Sequence, residues 1–242
     1  MTPPRPPSGK KLTRPLLFLG PPGAGKGTQA RGVANHFGVP QISTGDMFRD
    51  HVARGTELGR QAKAVMERGE LVSDDIVSGM VAERIRRPDC AGGFLLDGFP
   101  RTRPQAERLE TLLAEAGWPG PLAVNLEVSY TSLIRRLTGR RTCAVCGEIY
   151  NVYDRPSKQE GRCDRDAGEL RQRADDREEV IRERLNAYEQ QTRPLVEFYR
   201  QRDALLEVNG DEAPEKLTAR LIQLLAPAVL AGAPASGAER RT

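Results

Sequence analysis

Histidine is nearly missing from this chain: His36 and His51 are the only two in 242 residues, against 37 Lys and Arg and 33 Asp and Glu. Neither histidine stands in a triad or metal-ligand pattern, which argues against histidine-based nucleophilic catalysis and histidine-ligated metal centres. Aromatic side chains are sparse as well, with one Trp, five Tyr and six Phe, and they form no stacking platform of the kind that holds single-stranded nucleic acid. No apolar run approaches the ~18 residues of a membrane span, so a membrane partner is not expected. The opening MTPPRPPSGKKLTRP is basic and proline-rich but lacks the apolar core of a secretory signal. It reads as a disordered tail on a cytoplasmic protein. The closing APAVLAGAPASGAERRT reads as disordered in the same way.

What is present begins at residue 16. The stretch LLFLGPPGAGKGT is a short apolar strand that breaks into a turn holding Gly20, Gly23, Gly25, Gly27 and a single lysine. Backbone N–H groups in such a turn converge on an anion, and the helix that follows points its positive dipole end at the same place. Lys26 then reaches the outer phosphates of a nucleotide, and Thr28 sets a hydroxyl beside the metal. Gly27 separates Lys26 from Thr28, whereas the P-loop pattern has Ser or Thr directly after the lysine. The competing reading is a glycine-rich turn with a solvated lysine.

Apolar runs at 16–19, 39–42, 94–97, 122–128 and 204–208 alternate with segments of helical period, including Ile76, Met80, Val81, Ile85 and then Val180, Ile181, Leu185, Tyr188. The alternation predicts an α/β fold with a five-stranded parallel sheet flanked by helices. The phosphate loop, STGD at 43–46 and DGFPR at 97–101 all follow strands, so they meet at one sheet edge. Pro194 is expected to break the helical pattern that starts near Asp176 and to begin a second helix.

Residues 139–176 interrupt the alternation and carry three of the four cysteines. Cys143 and Cys146 form C-x-x-C, and Cys163 with Asp166 repeats the spacing as C-x-x-D. Two such knuckles supply four ligands for a closed, structural zinc site, and a cytosolic setting disfavours a disulfide instead. The alternative is a metal-free lid in which these are small, partly buried residues and a surface charge. Cys90 stands alone and reads as a core or loop residue.

Asp97 ends an apolar run, where a P-loop enzyme keeps a carboxylate for magnesium, and Arg101 projects from the next turn toward phosphate. A plain Gly-Pro turn flanked by charge is the other reading. The net charge of +4 fits nucleic acid or a multi-phosphate pocket equally well. A phosphate monoester acceptor is already largely a dianion at neutral pH. It needs alignment and neutralisation rather than a histidine base.

GPPGAGKGT, STGDMFRD, GELVSDDIV, LLDGFPRT followed by Gln105, RRLTGRR and RQRADDREEVIRERL occur in that order. Through them residues 15–226 closely resemble the adenylate kinases, specifically the long-lid bacterial form with a zinc-binding lid. The resemblance implies a P-loop nucleoside monophosphate kinase fold. Its core would be 15–42, 73–138 and 177–226, with an AMP-binding helical insert at 43–72 and a lid at 139–176; residues 1–14 and 227–242 would be tails. It implies in-line transfer of a phosphoryl group from MgATP to AMP, giving two ADP, with ATP, AMP and ADP as partners and a monomeric state. The ATP side falls on Gly23, Ala24, Gly25, Lys26, Gly27, Thr28, Arg140, Ile149, Tyr150 and a backbone contact near Glu212. The AMP side falls on Thr44, Arg49, the backbone of Glu70, Leu71 and Val72, then Gly98, Phe99, Pro100, Arg101 and Gln105. Arg136, Arg173 and Arg184 match the remaining phosphate-binding arginines, the last two on the AMP side. Lys26, Asp97, Arg101, Arg136, Arg140, Arg173 and Arg184 would thus carry the catalysis. Structural zinc on Cys143, Cys146, Cys163 and Asp166 would hold the lid together. Kinases of UMP, CMP or GMP are the nearest alternative, and Thr44 and Gln105 argue for AMP. A zinc-ribbon nucleic-acid module is the alternative from another class.

Overall fold

A computed structural model describes residues 11–230. Five parallel strands lie in the order β2-β3-β1-β4-β8: β2 is Gln41–Ser43, β3 Leu95–Asp97, β1 Leu16–Leu19, β4 Leu122–Glu127 and β8 Leu205–Asn209. Every residue of β1 and β3 is buried. Strands covered on both faces read as unbroken apolar runs, which is why these two stand out in the sequence. Val39 and Pro40, expected in the second strand, precede it: the Val39 N–H still caps the preceding helix on Ala34, and the Pro40 carbonyl accepts from Leu95. One core cluster packs Phe18, Val124 and Leu126 against Leu221 and Leu225. The other packs Leu17, Leu96 and Ala123 against Leu109, Leu195 and Tyr199 on the opposite face.

The helices are α1 Lys26–Phe37, α2 Thr44–Ala53, α3 Glu57–Glu67, α4 Asp74–Ile85, α5 Arg103–Glu115, α6 Tyr130–Gly139, α7 Glu178–Ala187, α8 Pro194–Arg200 and α9 Pro214–Val229. α2 and α3 pack on each other between β2 and α4. A separate antiparallel sheet, β6-β5-β7, is built from Ile149–Asn151, Arg140–Cys143 and Leu170–Arg171. It occupies the stretch that interrupts the alternation.

Two expectations change. Pro194 does open α8, yet the chain does not break before it. A π-turn over Tyr188–Thr192 carries α7 into α8, and the Arg193 N–H bonds the Tyr188 carbonyl at 2.8 Å. The wider i to i+5 register accommodates the proline ring without ending the helix. The expected tail boundaries at 14 and 227 are also corrected. Leu12 is 2% exposed and pairs with Leu230, and Thr13 N–H bonds the Val229 carbonyl. Leu12 joins the cluster of Leu225 and Val229, so apolar burial pulls both segments onto the core despite their prolines and glycines. The rest of the expected tail disorder, residues 1–10 and 231–242, lies outside the described residues.

Candidate active site

The site begins at the carboxyl edge of β1. Gly20, Gly23 and Gly25 all have positive φ. A side chain at Gly23 would meet Leu137 Cγ at 2.9 Å and the Leu133 carbonyl at 3.0 Å, so only glycine lets the turn lie against α6. Gly25 caps α1 in the left-handed conformation with no side-chain hydrogen bond, and no acidic residue occupies the first turn. By contrast Ser43, Thr56, Thr102 and Ser129 cap α2, α3, α5 and α6 through their own oxygens. The α1 terminus alone among these five is left for an external anion.

Lys26 Nζ donates to the carbonyls of Gly20 and Pro21, at 2.6 and 2.9 Å. Burial pulls its pKa down to about 7; Asp97 opposes this, while Arg101, Arg184 and Arg140 reinforce it. Asp97 pairs in register beside Phe18 and accepts from Gln41 Nε2 at 3.3 Å. Its pKa is raised by burial, against the pull of Lys26. A Cβ on Gly27 would lie 3.3 Å from Asp97 Oδ2. The extra glycine therefore lets this carboxylate approach the first turn of α1.

Next to β1, β3 leads into the turn Gly98–Arg101. Gly98 has φ 82°, and a Cβ there would meet Thr44 Oγ1 at 2.9 Å. Arg101 Nε donates to the Gly98 carbonyl at 2.9 Å, and Thr192, in the π-turn, holds the Arg101 carbonyl at 2.8 Å. Burial pulls Arg101 down to about 10, with Arg184 adding to the effect. Arg173 falls to about 9 by burial and by its proximity to Arg140 and Arg49. Several desolvated cations close to one another outweigh the carboxylates around them, so the site gains most from a multiply charged anion.

These groups border a cavity of about 700 Å³. Of the expected residues, Gly23 through Thr28, Arg49, Glu70, Leu71, Asp97, Gly98, Pro100, Arg101, Arg136, Arg140, Ile149, Tyr150, Arg173, Arg184 and Glu212 line it. Thr44, Val72, Phe99 and Gln105 do not. Thr44, Phe99 and Gln105 are at most 3% exposed, and Val72 packs on the second core cluster. Thr44 Oγ1 bonds the Gly98 carbonyl, and Gln105 accepts from the Arg101 N–H, so both buttress the Gly98–Arg101 turn from behind.

The carboxylates that aim the arginines are absent from the expected set. Asp176, with no exposed surface, accepts from both Arg140 and Arg184, and Asp175 pairs with Arg184 at 3.1 Å. The DD pair inside RQRADDREEV was the available signal. Arg136 is held by the Gly210 carbonyl at 2.9 Å, and Arg49 by Asp46 at 2.6 Å. Glu148, in the small sheet's first turn, accepts from Arg155 and Arg165 and from Arg31 on α1 at 3.3 Å, which ties this sheet to the phosphate-loop helix.

Within the small sheet, one ligand atom from each of Cys143, Cys146, Cys163 and Asp166 lies within 4.8 Å of all the others. Cys146 and Cys163 sulfurs are 3.6 Å apart, and Cys143 Sγ is 3.3 Å from Asp166 Oδ1. A tetrahedral zinc with Zn–S bonds of ~2.3 Å has S–S edges of about 3.8 Å. The donor set and its spacing therefore fit zinc. Asp166 is kept ionised, its pKa lowered by hydrogen bonding to the Cys146 thiol first and then to the Gly168 N–H. Only Cys143, Tyr150, Cys163 and the partly buried Leu170 form an apolar cluster here.

The model of the family described as Adenylate kinase matches residues 18–204. A protein named adenylate kinase from Thermodesulfovibrio yellowstonii is 56% identical over 195 residues, covering 81% of this chain and 91% of that protein. Adenylate kinases of Archaeoglobus fulgidus and Anaeromyxobacter dehalogenans strain 2CP-C are 51% and 50% identical, covering 81% and 87% of this chain and 90% and 98% of their own lengths. A phosphate loop, a second turn beside it and a ring of arginines thus sit within a sequence similar to these proteins nearly end to end, and the chain belongs to the adenylate kinase family.

Proposed function

We infer that this enzyme transfers the terminal phosphoryl group of MgATP reversibly to AMP, giving two ADP. The observation that carries the reading is one continuous cavity with the uncapped α1 terminus and Lys26 at one side and the Gly98–Arg101 turn, Arg49 and Glu70 at the other. Both walls are rich in guanidinium groups and neither contains histidine. Phosphoryl transfer to an anionic acceptor needs in-line alignment and charge neutralisation, which this arrangement supplies. A nucleic-acid module is not favoured.

On this reading the phosphate loop, Arg136 and Arg140 hold the donor, with its base between Ile149, Tyr150 and the backbone near Glu212. Arg49, Arg101, Arg173 and Arg184 hold the acceptor phosphate, and Thr44 and Gln105 lie behind its base. Lys26 exchanges the carbonyls of Gly20 and Pro21 for phosphate oxygens when the donor arrives. The arginines spread the charge that develops between the two nucleotides. Asp97, a buried oxygen donor beside the loop, and Thr28 would hold Mg²⁺ together with the nucleotide phosphates. Held there, the metal would supply neutralisation of the charge on the donor phosphates.

Residues 43–72 serve as the AMP-binding subdomain and 139–176 as a lid whose closure excludes water, a gating motion for which adenylate kinases are themselves a standard example. Zinc on the three cysteines and Asp166 holds that lid together, since four apolar side chains bury too little surface to do so alone. The enzyme works as a monomer in the cytoplasm; no helix among the described residues is long and apolar enough to cross a membrane. A coupled assay with MgATP and AMP, UMP, CMP or GMP in turn tests the reading. Turnover is expected with AMP, and equal or faster turnover with another monophosphate overturns it.

A further inference from the structure

The amide of Gln29 is 2% exposed and uses both of its ends across the molecule. Nε2 donates to the Pro214 carbonyl at 3.1 Å, and Oε1 accepts from Thr218 Oγ1 at 2.7 Å. Thr218 Oγ1 also lies 2.9 Å from the Pro214 carbonyl, so one side chain on α1 and the first turn of α9 close a small hydrogen-bonded ring. Donor and acceptor partners together leave the amide one orientation. Gly32, one turn along α1, permits the approach: a Cβ there would stand 2.6 Å from Thr218 Cγ2.

The ring anchors one end of the segment Gly210–Pro214, which lines the cavity. At the other end the Gly210 N–H bonds the Glu127 carbonyl at 2.7 Å, and Arg136 holds the Gly210 carbonyl. Residues 211–213 therefore run between a strand end and the Gln29 ring, with Asp211 also accepting from the Ser129 N–H and Glu212 paired with Arg220. Gln29 lies three residues after Lys26 on the same helix, so the helix that carries the phosphate loop also sets the position of this segment. A rigid link of this kind fixes the separation of the phosphate and base subsites.

We propose that Gln29 is a positioning residue for the donor nucleotide, its buried amide holding segment 211–213 where that segment's backbone meets the base of ATP. This rests on the reading in which the donor base lies near Glu212. The buried ring makes no bond to the Gly98–Arg101 turn, so the effect should be confined to the donor.

Steady-state kinetics of Gln29→Leu and, as a second variant that keeps the amide, Thr218→Val test this. The KM for MgATP is expected to rise about five-fold, the worth of one net hydrogen bond, in Gln29→Leu and less in Thr218→Val. The kcat and the KM for AMP should stay within about two-fold, as expected when only uniform binding is lost. Hydrogen exchange of the 211–213 amides should be faster in both ligand-free variants and, in the wild-type enzyme, slowed by MgATP but not by AMP. If MgATP slows that exchange while the KM for MgATP is unchanged in both variants, the role of Gln29 is overturned and the donor reading stands. If MgATP leaves those amides unaffected, both are overturned.

Discussion

Arg140 and Asp176 are joined by two hydrogen bonds, Nε to Oδ2 at 2.7 Å and Nη2 to Oδ1 at 2.5 Å, and Asp176 has no surface exposed to solvent. Arg184 adds a third bond, Nη1 to Oδ1 at 3.0 Å. One carboxylate thus keeps two guanidinium groups that line the cavity close together. Replacing it with alanine leaves Arg140 without a carboxylate partner and Arg184 with Asp175 alone, each guanidinium side chain being less than a fifth exposed. Loss of one member of a buried pair costs about 3–5 kcal/mol. Asp176→Ala should lower the free energy of unfolding by that amount, read as a lower denaturant midpoint at unchanged slope, and raise the KM for both nucleotides. Asp176→Asn, which keeps the shape, should lose less stability. An unfolding curve for Asp176→Ala that superimposes on wild type would remove Asp176 from this role.

The burial of Lys26 gives a second test with a definite sign. Its pKa falls from 10.5 to about 7 on folding. The folded state therefore carries the full cost of a desolvated charge below pH 7. From there toward 10.5 the unfolded chain binds the extra proton, so this contribution to stability improves as pH rises. Lys26→Met removes the cost, and in the absence of nucleotide the variant should melt above wild type at pH 6, with the gap closing as pH is raised. Its turnover should fall by ~10²–10³ or more, the loss seen when one transition-state donor is deleted. In the wild-type enzyme MgATP affinity, followed by calorimetry, should weaken above pH 7 as the ammonium loses its proton. A near-normal rate in Lys26→Met would refute the assigned role.

Zinc in the lid should act on stability rather than on chemistry, because four protein ligands leave no position for a catalytic water. Carefully purified enzyme should contain about one zinc per chain. Cys163 is 4% exposed and its sulfur also contacts Tyr150 Oη at 3.5 Å, so it ties the cysteine cluster to the small sheet's apolar core. Cys163→Ser is expected to lower the melting temperature and to leave most room-temperature turnover intact. Metal-free purified protein, or loss of turnover at unchanged stability, would count against the assignment.

The sheet and the phosphate loop were readable in advance because each is encoded locally. β1 and β3 are buried on both faces and appear as continuous apolar runs, and the loop needs glycine at positions such as Gly23 that no other residue can occupy. Leu12 was not readable, since its partner Leu230 is more than two hundred residues away and both lie in sequence that resembles a linker. The same holds for Asp176 and Gln29. Each is one acid or amide among many until folding brings Arg140, Arg184, Pro214 and Thr218 around it. Motif order selected the cations, but only the tertiary structure shows which anion aims each one.

On the proposed reading, the hydrogen-bond directions at Gln105 and Thr44 select the acceptor base. Gln105 Oε1 accepts from the Arg101 N–H at 2.8 Å while its Nε2 donates to Asp74 Oδ1 at 2.6 Å, so the amide cannot be flipped without setting like against like at both ends. Its second N–H remains to donate. Thr44 spends its hydroxyl proton on the Gly98 carbonyl at 2.9 Å, which leaves oxygen lone pairs to accept. On the proposed reading, in which the acceptor base comes to rest on these two buried residues, one acceptor and one donor would match the 6-amino group and N1 of adenine and oppose the 6-oxo group and N1–H of hypoxanthine or guanine. Gln105→Glu replaces the donor with a second carboxylate facing Asp74, and Thr44→Val removes the acceptor. Each variant should lower kcat/KM for AMP by ~10–100-fold, as when a site's polar group loses its partner. The value for IMP should change much less, so the preference for AMP over IMP narrows. Equal losses for AMP and IMP would mean that the two residues support the turn without reading the base.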